Sequence, residues 1–129
     1  EAPEGFMLVV SFNPGYRRGL KELKPSTRQR FVALAFDYPA AEIEAEIVRA
    51  EAEVDAAVAK KLVAFAAKVR HLDEPGIAET VSTRLLVSAA RLIRAGLAPR
   101  VACGAAIVQP LTDDATTARA LQDLADLVF

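Results

Sequence analysis

The stretch VDAAVAKKLVAFAAKVR, residues 54–70, carries apolar side chains at Val54, Val58, Leu62, Phe65, Ala66 and Val69. Steps of four and three place them on one stripe of an α-helix. Just upstream, residues 40–52 carry Ile43, Ile47 and Val48 on a stripe, with Glu42, Glu44, Glu46 and Glu51 around it. This too reads as an amphipathic helix. Downstream, residues 71–81 contain Asp73-Glu74-Pro75-Gly76 and read as a loop. Ser82 is a good N-cap for a helix over 83–95, with Leu85, Leu86, Ala89, Leu92 and Ile93 inward and Gly96 at the C′ position. Pro99 opens a helix over 99–109 bearing Val101, Ala105 and Val108, and Pro110 stops it. Thr112 or Asp113 caps a final helix bearing Leu121, Leu124, Leu127 and Val128, and Asp113 and Asp114 suit the positive end of its dipole.

The first 39 residues differ. Residues 6–12, FMLVVSF, form a short apolar run between Gly5 and Asn13-Pro14-Gly15. Residues 31–36, FVALAF, form another, ended by Asp37-Tyr38-Pro39. Both read as strands buried on two faces, as in a parallel sheet, with a short helix opened by Pro25 between them. Two strands are too little sheet to be stable alone, so further strands are expected from chain outside these residues. The expected fold is mainly α. Residues 1–39 read as the end of an α/β core, and residues 40–129 as a five-helix domain.

Composition fits. Apolar residues make up 53% of the 129, yet 26 of them are Ala and aromatics are only 6%. Such a core is helix-rich and finely packed, because Ala favours helix and adds little area. The net charge of −1 argues against a globally basic nucleic-acid binder. Residues 1–39 hold six basic and four acidic residues, and residues 40–129 ten and thirteen. One Cys excludes an internal disulfide and a Cys-based zinc site. There is no apolar run long enough for a transmembrane helix, no signal-like segment and no internal repeat. A cytoplasmic piece of a longer chain is the expectation.

SFNPGY at 11–16 followed by LKELKPSTRQRF at 20–31 is similar to the MoxR branch of the AAA+ ATPases, and within it to the CbbQ/NorQ/NirQ family. The similarity continues through FDYP at 36–39, Ser82-Thr83-Arg84 and QPLTDD at 109–114. The first two blocks are specific in combination and the last is supportive. The resemblance implies a hexameric ring that hydrolyses ATP with Mg²⁺. It also implies a von Willebrand factor A-type partner and a client such as Rubisco or a metalloenzyme. Residues 1–39 then correspond to the end of a P-loop NTPase core and residues 40–129 to its helical lid. No G-x-x-x-x-G-K-[ST] loop and no acidic Mg²⁺-binding strand end occur here. In the family both lie upstream, so these residues alone are not expected to bind ATP tightly or hydrolyse it.

Four residues stand out. Asn13 follows the first predicted strand, at the edge where open α/β sheets bind ligands. The resemblance makes it sensor 1, whose amide contacts the γ-phosphate; from spacing alone, a simple Asn-Pro-Gly turn is the plainer reading. Arg28 and Arg30 precede the second predicted strand. The resemblance places an arginine finger here, with Arg30 favoured, and a solvated helix face is the plainer reading. Such fingers are worth roughly 10³–10⁵ in rate. Arg84 lies in the first turn of its helix, where a cation opposes the dipole at a cost of roughly 0.3–1 kcal/mol. A residue that breaks a local rule can be serving function, and the resemblance makes it sensor 2. The plainer reading is an ion pair to Asp73, Glu74 or Glu79.

Other features are weaker. Arg17, Arg18, Lys21 and Lys24 surround Tyr16, a pattern open to single-stranded nucleic acid, a subunit contact or simple solvation. His71 reads as a helix C-terminal residue rather than a metal ligand, and Cys103 as a small buried apolar residue. Glu42 and Glu46 belong to a solvated helix face. A competing reading of another class is an all-helical interaction module without nucleotide chemistry.

Overall fold

The computed structural model describes residues 3–11, 24–72 and 80–129. The chain divides into two compact units, Glu1–Phe36 and Asp37–Phe129.

In the first unit, the one regular element among the described residues is a single turn, α1 (Pro25–Arg28). Pro25 occupies its first position, where its missing N–H costs nothing. The predicted strands are not found among the described residues: 6–11 and 31–36 carry no ladder. Their side chains lie largely open, with Val9 at 81%, Val32 at 94% and Phe36 at 90% exposure. The physical reason is the one that limits any two-strand sheet. A strand needs neighbours for its backbone groups and cover for both apolar faces, and two short runs supply neither.

The second unit is helical: α2 (Ala41–Ala52), α3 (Ala56–Arg70), α4 (Thr83–Arg94), α5 (Pro99–Cys103), a π-helical turn (Gly104–Val108), α6 (Gln109–Leu111) and α7 (Ala115–Val128). Helix α2 packs on α3 and α4, and α7 packs on α3, α5 and the π turn. Phe65 and Leu62 of α3, Leu86 of α4, Ile107 of the π turn and Leu121 of α7 are the large side chains fully enclosed. Ala59, Ala66, Ala89, Ala90 and Ala125 lie between them at zero exposure, so the helices approach closely.

The α3 stripe is as the sequence predicts: Leu62, Phe65, Ala66 and Val69 are buried. The α2 stripe holds only in part: Val48 is buried, but Ile43 and Ile47 are exposed. Ile43 is 58% exposed, and the buried face is Glu44, Ala45, Val48 and Ala52. Small Ala45 and Ala52 let α2 seat against its neighbours on that face, leaving the bulkier Ile43 outside.

Helix α4 ends as its Gly96 requires. Gly96 has φ +100°, the Leu97 N–H donates to the Leu92 carbonyl (3.1 Å), and the Gly96 N–H donates to Ile93 (2.9 Å). This is a Schellman closure. Pro110 does not stop its helix as expected. The backbone widens ahead of it, the Gln109 N–H reaching five residues back to Gly104, and helix then continues through Leu111. Such a turn accommodates a residue that cannot donate. The cap of α7 is Asp114 rather than Thr112 or Asp113. Its Oδ1 accepts from the Thr117 N–H (2.8 Å) and the Thr117 hydroxyl (2.8 Å), and these bonds hold its carboxyl below the usual range.

Glu53 closes α2 in the left-handed region, φ 51°, and pairs with Arg94 at 2.7 Å. The left-handed conformation costs a non-glycine residue about 1 kcal/mol, and the exposed pair returns only a few tenths. Glu53→Gly is therefore expected to raise stability by about 0.5 kcal/mol, read by urea unfolding. A loss of stability would show that the Arg94 pair outweighs the backbone strain.

Candidate functional site

The N-terminus of α4 is held by side chains from two other helices. Ser82 occupies the cap position with extended backbone, but its side chain makes no cap hydrogen bond. Its two neighbours are held instead. The Arg70 Nε donates to the Val81 carbonyl (2.9 Å), and the Thr83 hydroxyl donates to Glu44 Oε1 (2.7 Å). Arg70 and Glu44 are joined in a two-pronged pair, Nη1 to Oε2 at 2.8 Å and Nη2 to Oε1 at 2.7 Å. The Tyr38 ring lies over the Arg70 guanidinium, 3.6 Å from ring centre to carbon.

Glu44 is 1% exposed. Burial alone pushes its carboxyl up. The hydrogen bonds from Arg70 and Thr83, with the Arg70 charge, outweigh burial and hold it below its ordinary value. The cluster is satisfied: no buried side-chain nitrogen or oxygen among the described residues lacks a partner.

Arg84 is the second residue of α4 and is exposed. No acidic residue shares the first turn, and its side chain has no hydrogen bond or ion pair among the described residues. Asp73, Glu74 and Glu79, the partners of the plainer reading, lie outside the described residues. The arrangement thus presents a cation at a helix N-terminus whose backbone is fixed from behind by a buried ion pair.

Arg28 ends α1, and Arg30 follows it by two residues; both are exposed. Arg28 has an interaction within the chain, whereas the Arg30 side chain has none among the described residues. Both belong to the first unit and Arg84 to the second. Asn13, Arg17, Arg18 and Lys21 lie outside the described residues. His71 caps α3, with Nδ1 donating to the Ala67 carbonyl at 2.6 Å. Cys103 is buried, and desolvation, with a smaller push from Asp126, raises its thiol to about 11, which leaves it unreactive. No group of three His, Cys, Asp or Glu among the described residues can hold a metal ion. No helix among them is long and apolar enough to cross a membrane.

Glu44, Arg70, Thr83 and Tyr38 do not stand out in the sequence as site residues. In the sequence Glu44 is one of the glutamates around the Ile43, Ile47 and Val48 stripe, alternating with Glu42 and Glu46. A signal was present: stepping back from Ala52 and Val48 by four lands on Glu44. Its partner Arg70 is 26 residues away, beyond any local pattern.

Residues 44–128 match the CbbQ/NirQ/NorQ C-terminal family. The chain belongs to this family. It is 52% identical over its whole length to the denitrification regulatory protein NirQ of Stutzerimonas stutzeri, covering 47% of that protein. It is 54% identical over 127 residues, 98% of the chain, to the NirQ of Pseudomonas aeruginosa, covering 49% of it. It is 52% identical over its whole length to the protein NorQ of Paracoccus denitrificans, covering 48% of it. The chain spans about half the length of these curated relatives. The family drawn from the SFNPGY and LKELKPSTRQRF blocks is thereby established. The CbbQ/NirQ/NorQ C-terminal match covers nearly all of the helical unit.

Proposed function

We propose that this chain is the sensor-and-lid portion of an ATP-hydrolysing AAA+ motor that remodels or activates a client enzyme. The observation that carries the reading is Arg84. It is an exposed cation, without a partner among the described residues, at a helix end that disfavours cations. A γ-phosphate brought against that turn supplies the missing negative charge, and the helix N-terminus itself favours a phosphate. Arg84 is then sensor 2, Asn13 is sensor 1, and Arg30, with Arg28 as the second candidate, is the finger given to a neighbouring subunit. ATP and Mg²⁺ belong to the full-length protein, whose Walker motifs are not in these residues. The family further suggests a hexameric ring, a von Willebrand factor A-type partner, and a metalloenzyme or Rubisco as client, in the cytoplasm. The names of the relatives, which place NirQ in the regulation of denitrification, support a regulatory role.

The test is calorimetry with ATP on the 129-residue chain, on the full-length protein and on its Arg84→Ala variant. Binding is expected only in the full-length protein. Arg84→Ala is expected to weaken ATP binding about tenfold, the loss of a charge-assisted contact. Tight binding by the chain alone would reveal a phosphate site elsewhere in it. No binding by the full-length protein would favour the interaction-module reading.

A further inference from the structure

A cation can read a phosphate only if its backbone is held in place. The local device for fixing a helix start is a capping side chain, and at α4 that device is idle because Ser82 makes no cap bond. Tertiary contacts replace it. Val81 is fixed through its carbonyl by Arg70 of α3, and Thr83 through its hydroxyl by Glu44 of α2. Thr83 is the residue before Arg84 and the first of the helix. The bond from Thr83 shares Glu44 Oε1 with Arg70 Nη2, so one buried carboxylate ties three helices at this point. Arg70 is itself held from two sides, by that carboxylate and by the Tyr38 ring. Buried polar clusters of this kind, fully satisfied, rigidify one arrangement.

We propose that Thr83, through its hydrogen bond to the buried Glu44–Arg70 pair, is a positioning residue for Arg84, so that α2 and α3 set the aim of the first turn of α4. The proposal rests on the reading of Arg84 as the residue that meets a γ-phosphate. Movement of α2 and α3 is thereby transmitted to Arg84, and a nucleotide held by Arg84 is felt in the core of the helical unit. The Glu44–Thr83 bond is the natural contact to cut. Thr83→Val keeps the shape of the side chain and removes only its hydroxyl, leaving both prongs of the Arg70–Glu44 pair.

The experiment uses the full-length protein and two probes, ADP and the non-hydrolysable ATP analogue AMP-PNP. Thr83→Val is expected to weaken AMP-PNP binding about fivefold, in the range of ordinary coupling between sites, and to leave ADP binding unchanged. Thr83→Ser, which restores the hydroxyl, should return AMP-PNP binding to the wild-type value. The double variant Thr83→Val/Arg84→Ala should bind no more weakly than Arg84→Ala alone, within about twofold, because both act through one contact. A general loss of structure weakens both nucleotides, so equal weakening of ADP and AMP-PNP binding by Thr83→Val would overturn the positioning role. Thr83→Ala, which also lacks the hydroxyl, repeats the test if the Val variant does not fold. Wild-type AMP-PNP binding by Thr83→Val while Arg84→Ala is impaired would overturn the positioning role and leave Arg84 in place. So would additive losses in the double variant. An Arg84→Ala protein that binds AMP-PNP normally would instead overturn the underlying reading, and the positioning role with it.

Discussion

Arg30→Ala is expected to lower ATP turnover of the full-length protein by about 10³-fold or more while nucleotide binding persists. A guanidinium supplied to a transferring phosphoryl group neutralises charge that develops only in the transition state, so its removal falls on turnover and spares affinity. Arg30 suits the task because it is exposed and uncommitted among the described residues. Arg28, which already has an interaction within the chain, is expected to matter less. Arg30→Lys should recover little of the rate, since a point charge lacks the planar fork that meets two oxygens at once. Steady-state phosphate release by wild-type, Arg28→Ala, Arg30→Ala and Arg30→Lys proteins, with calorimetry alongside, is sufficient. Normal turnover by Arg30→Ala would remove it from the reaction. A larger loss in Arg28→Ala would move the finger by two residues.

What the sequence conveyed depended on how local the governing force was. Helix α3 was legible because large apolar residues recur on one stripe and Ala fills the spaces between them. The Schellman close at Gly96 was legible for the same reason: one residue type meets one backbone need. Helix α2 was legible as a helix, but its rotation was not. Its bulkiest side chains, Ile43 and Ile47, face outward, and its buried face is made of two alanines, a valine and a glutamate. Hydrophobic weight misleads where close approach of small residues decides the packing. The 6–12 and 31–36 runs read as strands because each is a short apolar run ended by turn residues, yet strand formation depends on partners, and none is present for them among the described residues. Of the candidate site, Arg84 was visible because it breaks a local rule. The cluster behind it was not, because Glu44, Arg70 and Thr83 are brought together only by the fold.

Arg70→Met is expected to destabilise the helical unit by about 3–5 kcal/mol, the cost of leaving a buried charge unpaired. The side chains of Arg70 and Glu44 are 12% and 1% exposed, so little solvent is at hand to replace the lost partner. The Val81 carbonyl also loses its donor. Removing both charges should be far milder. Glu44→Leu/Arg70→Met is expected to recover most of the loss, because hydrophobic replacement of a buried pair is often close to neutral. The sign of the pH dependence follows from the carboxyl. In the wild type its folded pKa lies below its ordinary value, so the unfolded chain binds the proton first as pH falls. The pair's stabilisation is thus full above the ordinary carboxyl range and fades as pH drops through the folded value. Without Arg70, burial pushes the same carboxyl up, and protonation then favours the folded state. The gap between Arg70→Met and wild type should therefore narrow between about pH 7 and pH 4. Urea unfolding at the two pH values measures it. A cost under about 1 kcal/mol near pH 7 would place the pair in the class of exposed bridges, and a gap that does not narrow would mean that Glu44 is not the group left unpaired.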